Sequence, residues 1–211
     1  MLNLYSLGMK RGLLYETIIT TINQDGSPNA APMGVICKES NIFVLHLHEG
    51  SQTIHNILRE NIFYVNVLRD PLIFVQSTIG NPSEDDFEQL NNGFILKNAD
   101  AFFKGEVNKK RSVITEDNLG KSRKTIIQAD AQDLVINKEK LEPFNRAICG
   151  VIEALVYLTR FKMASSDKQK IYLDRIDEIS RIVNRVGGKD HKKAMKIIKG
   201  HIPKVYFKDQ S

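Results

Sequence analysis

From Tyr15 to Ile22 apolar and polar residues alternate, the period-2 signature of a half-buried strand, and the run ends at Asp25-Gly26. Asp-Gly favours a tight hairpin because both central residues tolerate positive φ, so the pattern predicts a return strand through residues 29–37. That strand has an unusual centre of small residues, Asn29, Ala30, Ala31, Pro32, Met33 and Gly34. Small side chains and a proline in a strand mark an edge, a bulge or a close approach of something flat to the backbone. Alternation resumes from Asn41 to His48 and again from Asn61 to Leu68, which predicts third and fourth strands. Between them Ile54 to Arg59 reads as a short helix behind the polar start Ser51-Gln52-Thr53. Ser83 with Asp86 three residues on predicts a capped helical turn. Ala101 to Val107 and Arg123 to Ile136 read as two more strands, joined by a polar loop from Asn108 to Ser122.

Beyond residue 138 the period changes to that of helices. Phe144, Ala147, Ile148, Val151, Leu155 and Leu158 form an apolar stripe, with Pro143 suited to a first helical position. A second amphipathic helix is expected over 171–186, stopped by Gly187-Gly188, and a third from Asp190 to about Ile198. Strands followed by helices, without βαβ alternation, indicate an α+β protein built on an antiparallel sheet. The expected division is a sheet part, 1–138, and a helical part, 139–211.

Composition refines this picture in three places. A hydrophobic share of 42% supports a real core, and no apolar run approaches the roughly 20 residues of a membrane span. The polar N-terminal stretch does not read as a signal peptide, and Cys37 and Cys149 read as buried reduced thiols, so a cytoplasmic location is expected. Residues 160–211 carry 14 Lys and Arg against 6 Asp and Glu, while residues 1–159 carry 16 against 19. The basic residues interleave with Ile, Leu and Val at helical spacing and no aromatic residues are arranged for base stacking. They read as a solvated helix face, with RNA association through the basic end as an alternative.

Familiar catalytic motifs fall away on inspection. Gly120-Lys121-Ser122 resembles the end of a phosphate-binding loop, but position 115 is Thr where that loop needs Gly. His46 and His48 share a strand face near His55, yet no carboxylate or thiolate at ligand spacing completes a metal site. Neither a GxSxG elbow nor a Cys-His motif is present. Ser51-Gln52-Thr53 is more informative, because the first N–H groups of a helix lack partners and favour an anion. Ordinary N-capping by Ser51 or Thr53 explains the same residues equally well.

Taken in order, the Thr-rich strand, the DGSPNAAPMGV hairpin, the hydrophobic strand, the SxT helix start and the YVNV strand resemble the flavin-binding split-barrel superfamily, which includes flavin reductases and pyridoxamine-phosphate oxidase relatives. More narrowly, the chain resembles the archaeal family of uncharacterised proteins called DUF447. The motifs are YExIxTT at Tyr15 to Thr21, NAAPMGV at Asn29 to Val35, SxTxxN at Ser51 to Asn56, VNVxxDP at Val65 to Pro71 and ICGVIEALVYLTR at Ile148 to Arg160. The Lys-rich end after Gly188 lies outside the resemblance.

The resemblance implies an antiparallel split β-barrel of the FMN-binding type, with a C-terminal helical part packed on it. It implies FMN held noncovalently between the subunits of a homodimer. By the same carry-over, Ser51, Gln52 and Thr53 meet the phosphate, with Arg59 and Asn56 nearby. Asn29, Ala30, Ala31, Pro32 and Met33 meet the ring's edge and face, and Thr20, Thr21 and Asn66 add hydrogen bonds. Arg160, seven residues from Glu153 on one helix face and next to Thr159, meets an anionic ligand or the partner subunit, or belongs to a surface ion network. The implied activity is that of a flavin-dependent oxidoreductase or flavin reductase with unknown substrate. The alternatives are a flavin carrier or sensor without turnover, and the same barrel binding deazaflavin F420 or haem.

Overall fold

The structure, a computed structural model, describes residues 3–48, 50–117 and 120–206. It divides into two compact units, Met1–Phe144 and Asn145–Ser211. The expected boundary at 138 moves to 144 because the Glu16 N–H donates to the Phe144 carbonyl at 2.8 Å, tying the intervening segment to the first strand.

The first unit is a closed antiparallel barrel. Its strands are β1 (Leu14–Ile22), β2 (Pro28–Cys37), β3 (Ile42–His48), β4 (Ile62–Val67), β7 (Ala101–Asp117) and β8 (Gly120–Ile136), in the order β1-β2-β3-β8-β7-β4 with β4 returning to β1. A separate hairpin, β5 (Phe87–Leu90) with β6 (Gly93–Leu96), was not evident in the sequence pattern. Helix α1 (Gln52–Glu60) follows β3, and α2 (Pro71–Ile79) follows β4 with Asp70 capping the N–H groups of Leu72 and Ile73. The Ser83–Asp86 capping box forms as expected and opens a 3-10 turn over Glu84–Asp86.

Two expectations need correction here. The connection between β1 and β2 is not a two-residue turn. The Gly26 N–H bonds the Asn23 carbonyl at 3.0 Å and the Asn23 N–H bonds the Ser27 carbonyl at 2.8 Å, so a type I turn is followed by Gly26 at φ +85°. Asp25 therefore needs no positive φ; its carboxylate accepts from the Ser27 hydroxyl and N–H, which hold it below the usual carboxylate range. The supposed polar loop 108–122 is largely strand: β7 continues to Asp117 and β8 begins at Gly120. Alternating polarity in a two-stranded ribbon exposed on both sides leaves no apolar period to read.

Strand alternation puts Tyr15, Ile19, Val35, Phe43, Leu45, Phe63, Phe103 and Ile127 in the barrel interior. At its centre Phe43 meets Phe63 and Phe103 edge to face, with ring centroids 5.9 and 5.4 Å apart. The rings fit because Gly105, opposite Phe63 on β7, has no side chain; a Cβ there would lie 2.6 Å from Phe63 Cζ and 2.9 Å from Phe43 Cζ. A second cluster lies outside the barrel wall, where Ile18 and Ala30 pack with Leu68, Ile73, Phe87 and Leu96 under α2 and the β5–β6 hairpin.

The second unit contains α3 (Ala147–Arg160), a 3-10 turn (Phe161–Met163), α4 (Ser166–Val186) and α5 (Lys189–Tyr206). Helix α3 starts at Ala147 rather than Pro143, since the Asn145 side chain accepts from the Ala147 N–H at 2.9 Å. Gly150 lets α3 approach α4, with Val183 Cγ2 2.9 Å from where a Cβ would stand. Gly187 is extended rather than left-handed; glycine is required there by closeness, a Cβ meeting the Val183 carbonyl at 2.7 Å. Cys37 is buried, which pushes its thiol up, whereas Cys149 is exposed, contrary to expectation. No described helix is long and apolar enough to cross a membrane.

Gly105→Ala forces two phenyl rings of the barrel centre to move, and a loss of about 1–3 kcal/mol is expected from overpacking. Thermal unfolding followed by circular dichroism measures it; an unchanged midpoint would show that the core is looser than this packing requires.

Candidate functional site

The barrel is split along one seam. Strand β2 pairs with β1 over its whole length, from Leu14↔Ile36 to Ile22↔Pro28, but with β3 only at Val35, Ile36 and Cys37. From Pro28 to Gly34 the outer edge of β2 therefore has no strand beside it. The pleat decides what faces where. Asn29, Ala31 and Met33 stand opposite Thr21, Ile19 and Thr17 on the interior face, while Pro28, Ala30, Pro32 and Gly34 stand on the exterior face. The side chains of Asn29 to Met33 therefore alternate between the two faces, and only the strand edge is common to all five.

Ala30 is excluded from open ground altogether. It is 2% exposed in the outer cluster, and its N–H donates to Asn81 Oδ1 at 2.8 Å. Asn81 Nδ2 also donates to the Pro28 carbonyl at 2.8 Å, so this one side chain replaces a missing strand. Asn29, Ala31, Pro32, Met33 and Gly34 are half-buried, which leaves the remaining seam accessible. Pro32 has no N–H, so the middle of that edge offers carbonyl acceptors and no donor.

At the interior end of the seam a polar cluster joins β1, β2 and α1. Asn29 Nδ2 donates to Thr21 Oγ1 and to Thr53 Oγ1, both at 3.1 Å. Asn56 Nδ2 donates to Thr21 Oγ1 at 3.0 Å and to Asn23 Oδ1 at 2.9 Å. Asn56 Oδ1 in turn accepts from Gln52 Nε2 at 3.0 Å and Arg59 Nη1 at 3.3 Å. Thr21, Thr53 and Asn56 are buried. Each threonine oxygen accepts, and among the described residues neither hydroxyl hydrogen has an acceptor. Hydroxyls beside the free N–H groups of a helix start are surroundings of the kind that favour an anion. Ser51 Oγ accepts from the Ile54 N–H at 3.4 Å, a long cap that leaves the Gln52 and Thr53 N–H groups at the free end of the helix. A hollow of about 360 Å³ opens there, lined by Asn23, Gln24, Asp25 and Gln52.

The remaining candidates have their polar atoms engaged within the fold or belong to other elements. Asn56 has every polar position of its side chain used and serves to fix Thr21. Arg59 occupies the last turn of α1, donating to the Ile22 carbonyl and pairing with Glu60 at 2.6 Å, a full helix length from Ser51. Thr20 and Asn66 attach the β5–β6 hairpin: Thr20 donates to the Phe94 carbonyl, and Asn66 bonds the Ile18 carbonyl, Thr20 Oγ1 and the Leu96 N–H. Their polar atoms are spent inside the fold. Arg160 and Glu153 are exposed on α3 in the second unit. His46 is exposed on β3, and the side chain of His48 lies outside the described residues, as do those of Lys121 and Ser122. Sequence reading missed Asn23 and Asn81. Both stand in turn-like stretches where Asn ordinarily signals only a bend.

A six-stranded closed antiparallel barrel with a polar seam places this chain among proteins of the FMN-binding split-barrel fold class. Its family is explicit: residues 15–140 match the N-terminal domain and residues 145–200 the C-terminal domain of the protein of unknown function DUF447, and the chain belongs to that family. An uncharacterised protein of Methanocaldococcus jannaschii is 29% identical over 191 residues, covering 88% of this chain and 96% of that protein. Among solved structures, an FMN-bound DUF447 protein of Methanosarcina mazei is 30% identical and superimposes with a TM-score of 0.55, over 94% of this chain and 99% of its own.

Asn56→Ala removes the donor to the half-buried Asn23 oxygen and one of the two donors to the buried Thr21 oxygen. The expected cost is about 1–3 kcal/mol, read as a lower urea midpoint at unchanged m-value. A midpoint equal to that of the parent would mean that solvent already serves these groups.

Proposed function

We propose that this protein binds FMN noncovalently in the seam between β2 and α1 and uses it for electron transfer. One observation carries the reading: the buried Thr21 and Thr53 hydroxyls, joined by Asn29, lie beside the first turn of α1, whose leading N–H groups have no partner within the helix. The FMN-bound Methanosarcina mazei relative, alike over nearly the whole chain, supports flavin as the ligand. In this reading Thr53, Thr21, Ser51 and the Gln52 and Thr53 N–H groups hold the phosphate. Asn29 positions both threonines. Ala31 and Pro32 allow a flat ring to approach the β2 edge, and its carbonyls accept from a ring N–H. Bound FMN supplies hydride or single-electron chemistry at its N5. The chain's own residues seat it and keep its phosphate desolvated. No carboxylate other than Asp25 lines the hollow at the helix start, and that one is turned into its own loop by Ser27.

The same reading includes a homodimer. Helix α2, which covers the outer face of β2, exposes Leu72 (70%), Val75 (53%) and Ile79 (82%) in one apolar stripe. A second copy of the chain is the occupant that buries this stripe beside the seam.

Purified protein is expected to be yellow and to release FMN, identified by mass, on denaturation. Thr53→Val should raise the FMN dissociation constant about tenfold or more, the scale of one charge-assisted hydrogen bond. A colourless protein that takes up no added FMN would refute the assignment. Light scattering should give twice the chain mass of 24.0 kDa, falling to a monomer in Val75→Lys/Ile79→Lys. A flavin-loaded monomer would remove the dimer from the proposal and leave the site. Bleaching by NADH or NADPH without oxygen distinguishes an enzyme from a carrier.

A further inference from the structure

The outer wall of the barrel holds a second concavity, of about 660 Å³, over β3 and the root of the β7–β8 ribbon. Its floor is apolar, made by Ile36, Val44 and Ile126. Its rim carries Lys38, Lys109, Lys110 and Arg111, and no carboxylate lines it. Among the described residues, none of these four cations makes an ion pair. Ile36 lies seven residues along β2 from Asn29, about 23 Å of strand, and on the opposite face of the sheet. The concavity is therefore distinct from the seam.

A β-bulge aims the rim. The pairing of β7 with β8 runs Val107↔Ala129 and then Lys109↔Gln128, leaving Asn108 as the extra residue. Without it, Lys109 would pair with Ile127, whose side chain is buried in the barrel. With it, Lys109 and Arg111 stand opposite Gln128 and Ile126 on the outer face. Asn108 is itself held in place: Nδ2 donates to Asp130 Oδ2 at 3.0 Å, and Oδ1 accepts from Gln128 Nε2 at 3.2 Å. The first of these bonds engages Asp130 on β8, which is not among the residues lining the concavity.

We infer that this concavity is a binding site for a small organic phosphate of the nucleotide class. The ligand would carry at least two negative charges on the Lys and Arg rim and rest its base or other apolar body on Ile36, Val44 and Ile126. The volume is that of a small-molecule pocket. Arg111 offers the planar fork suited to phosphate oxygens and the lysines add point charges. A nucleic-acid strand is the poorer occupant, because His46 is the one aromatic ring among the lining residues and no Phe, Tyr or Trp joins it to stack successive bases.

Titration calorimetry on the FMN-loaded full chain tests this, with ADP as probe and pyrophosphate and adenosine as controls. ADP is expected to bind saturably, more tightly than either control, and to weaken as salt rises. Lys109→Glu/Arg111→Glu should weaken ADP by about tenfold or more, with FMN content and thermal midpoint unchanged, since both residues are exposed. Val44→Asp, which charges the floor and leaves the rim intact, should weaken ADP more than pyrophosphate. Equal ADP binding by parent and double variant, or no ADP binding by the parent, would overturn the proposal. So would loss of FMN from the double variant, which would make the concavity the flavin's own site, whereas Thr53→Val reports on the seam separately. Variant-sensitive binding of single-stranded RNA without ADP binding would overturn it in favour of a nucleic-acid surface.

Discussion

Strand β2 spends one edge fully on β1 and most of the other on nothing. Its pairing with β3 ends after Val35–Cys37, so the backbone groups of Pro28 to Gly34 must be satisfied by other means or left to a ligand. The rest of the unit is arranged around that debt of hydrogen bonds. Asn81 reaches in from beyond α2 to take the Pro28 carbonyl and the Ala30 N–H. Pro32 removes one donor outright. Helix α1 starts next to the gap, and its first turn supplies N–H groups where a strand would have supplied a ladder.

The polar cluster at that gap is held together by its side-chain amides. Asn29 and Asn56 each donate twice, and Asn56 accepts twice as well. Two buried threonine oxygens are thereby committed as acceptors. On the proposed reading, an anion arriving at the start of α1 would meet donors already in place, which lowers the ordering cost of binding. This explains why so many hydrogen-bonding residues gather where only a few can touch a ligand: most position the few.

Two aspects of the wall depend on departures from regular pairing. The three-ring centre of the barrel needs Gly105 where other residues would collide. The outer concavity needs Asn108, an extra residue that changes which side chains of β7 face outward. In both, one position in a strand sets the use of a whole face. The remainder of each strand, read for period alone, is unremarkable.

The amino-acid pattern alone determined the strands β1 to β4, the short helix after β3, the Ser83–Asp86 turn and the succession of sheet and helices. These rest on local periodicity and capping, which neighbouring residues dictate. The family motifs likewise lie in the chain as written, and with them the position of the seam. Tertiary structure alone decided which motif residues face it. Ala30, Thr20, Asn66 and Arg59 carry suitable chemistry, but the pleat, the β5–β6 hairpin and the length of α1 turn them to structural work. Asn23 and Asn81 gained their roles through partners up to 53 residues away, a relation no local pattern encodes. The extension of β7 and β8 through a polar ribbon, and the bulge within it, were invisible for the same reason. A strand exposed on both faces has no buried side to impose a period, and register is settled only when two strands meet.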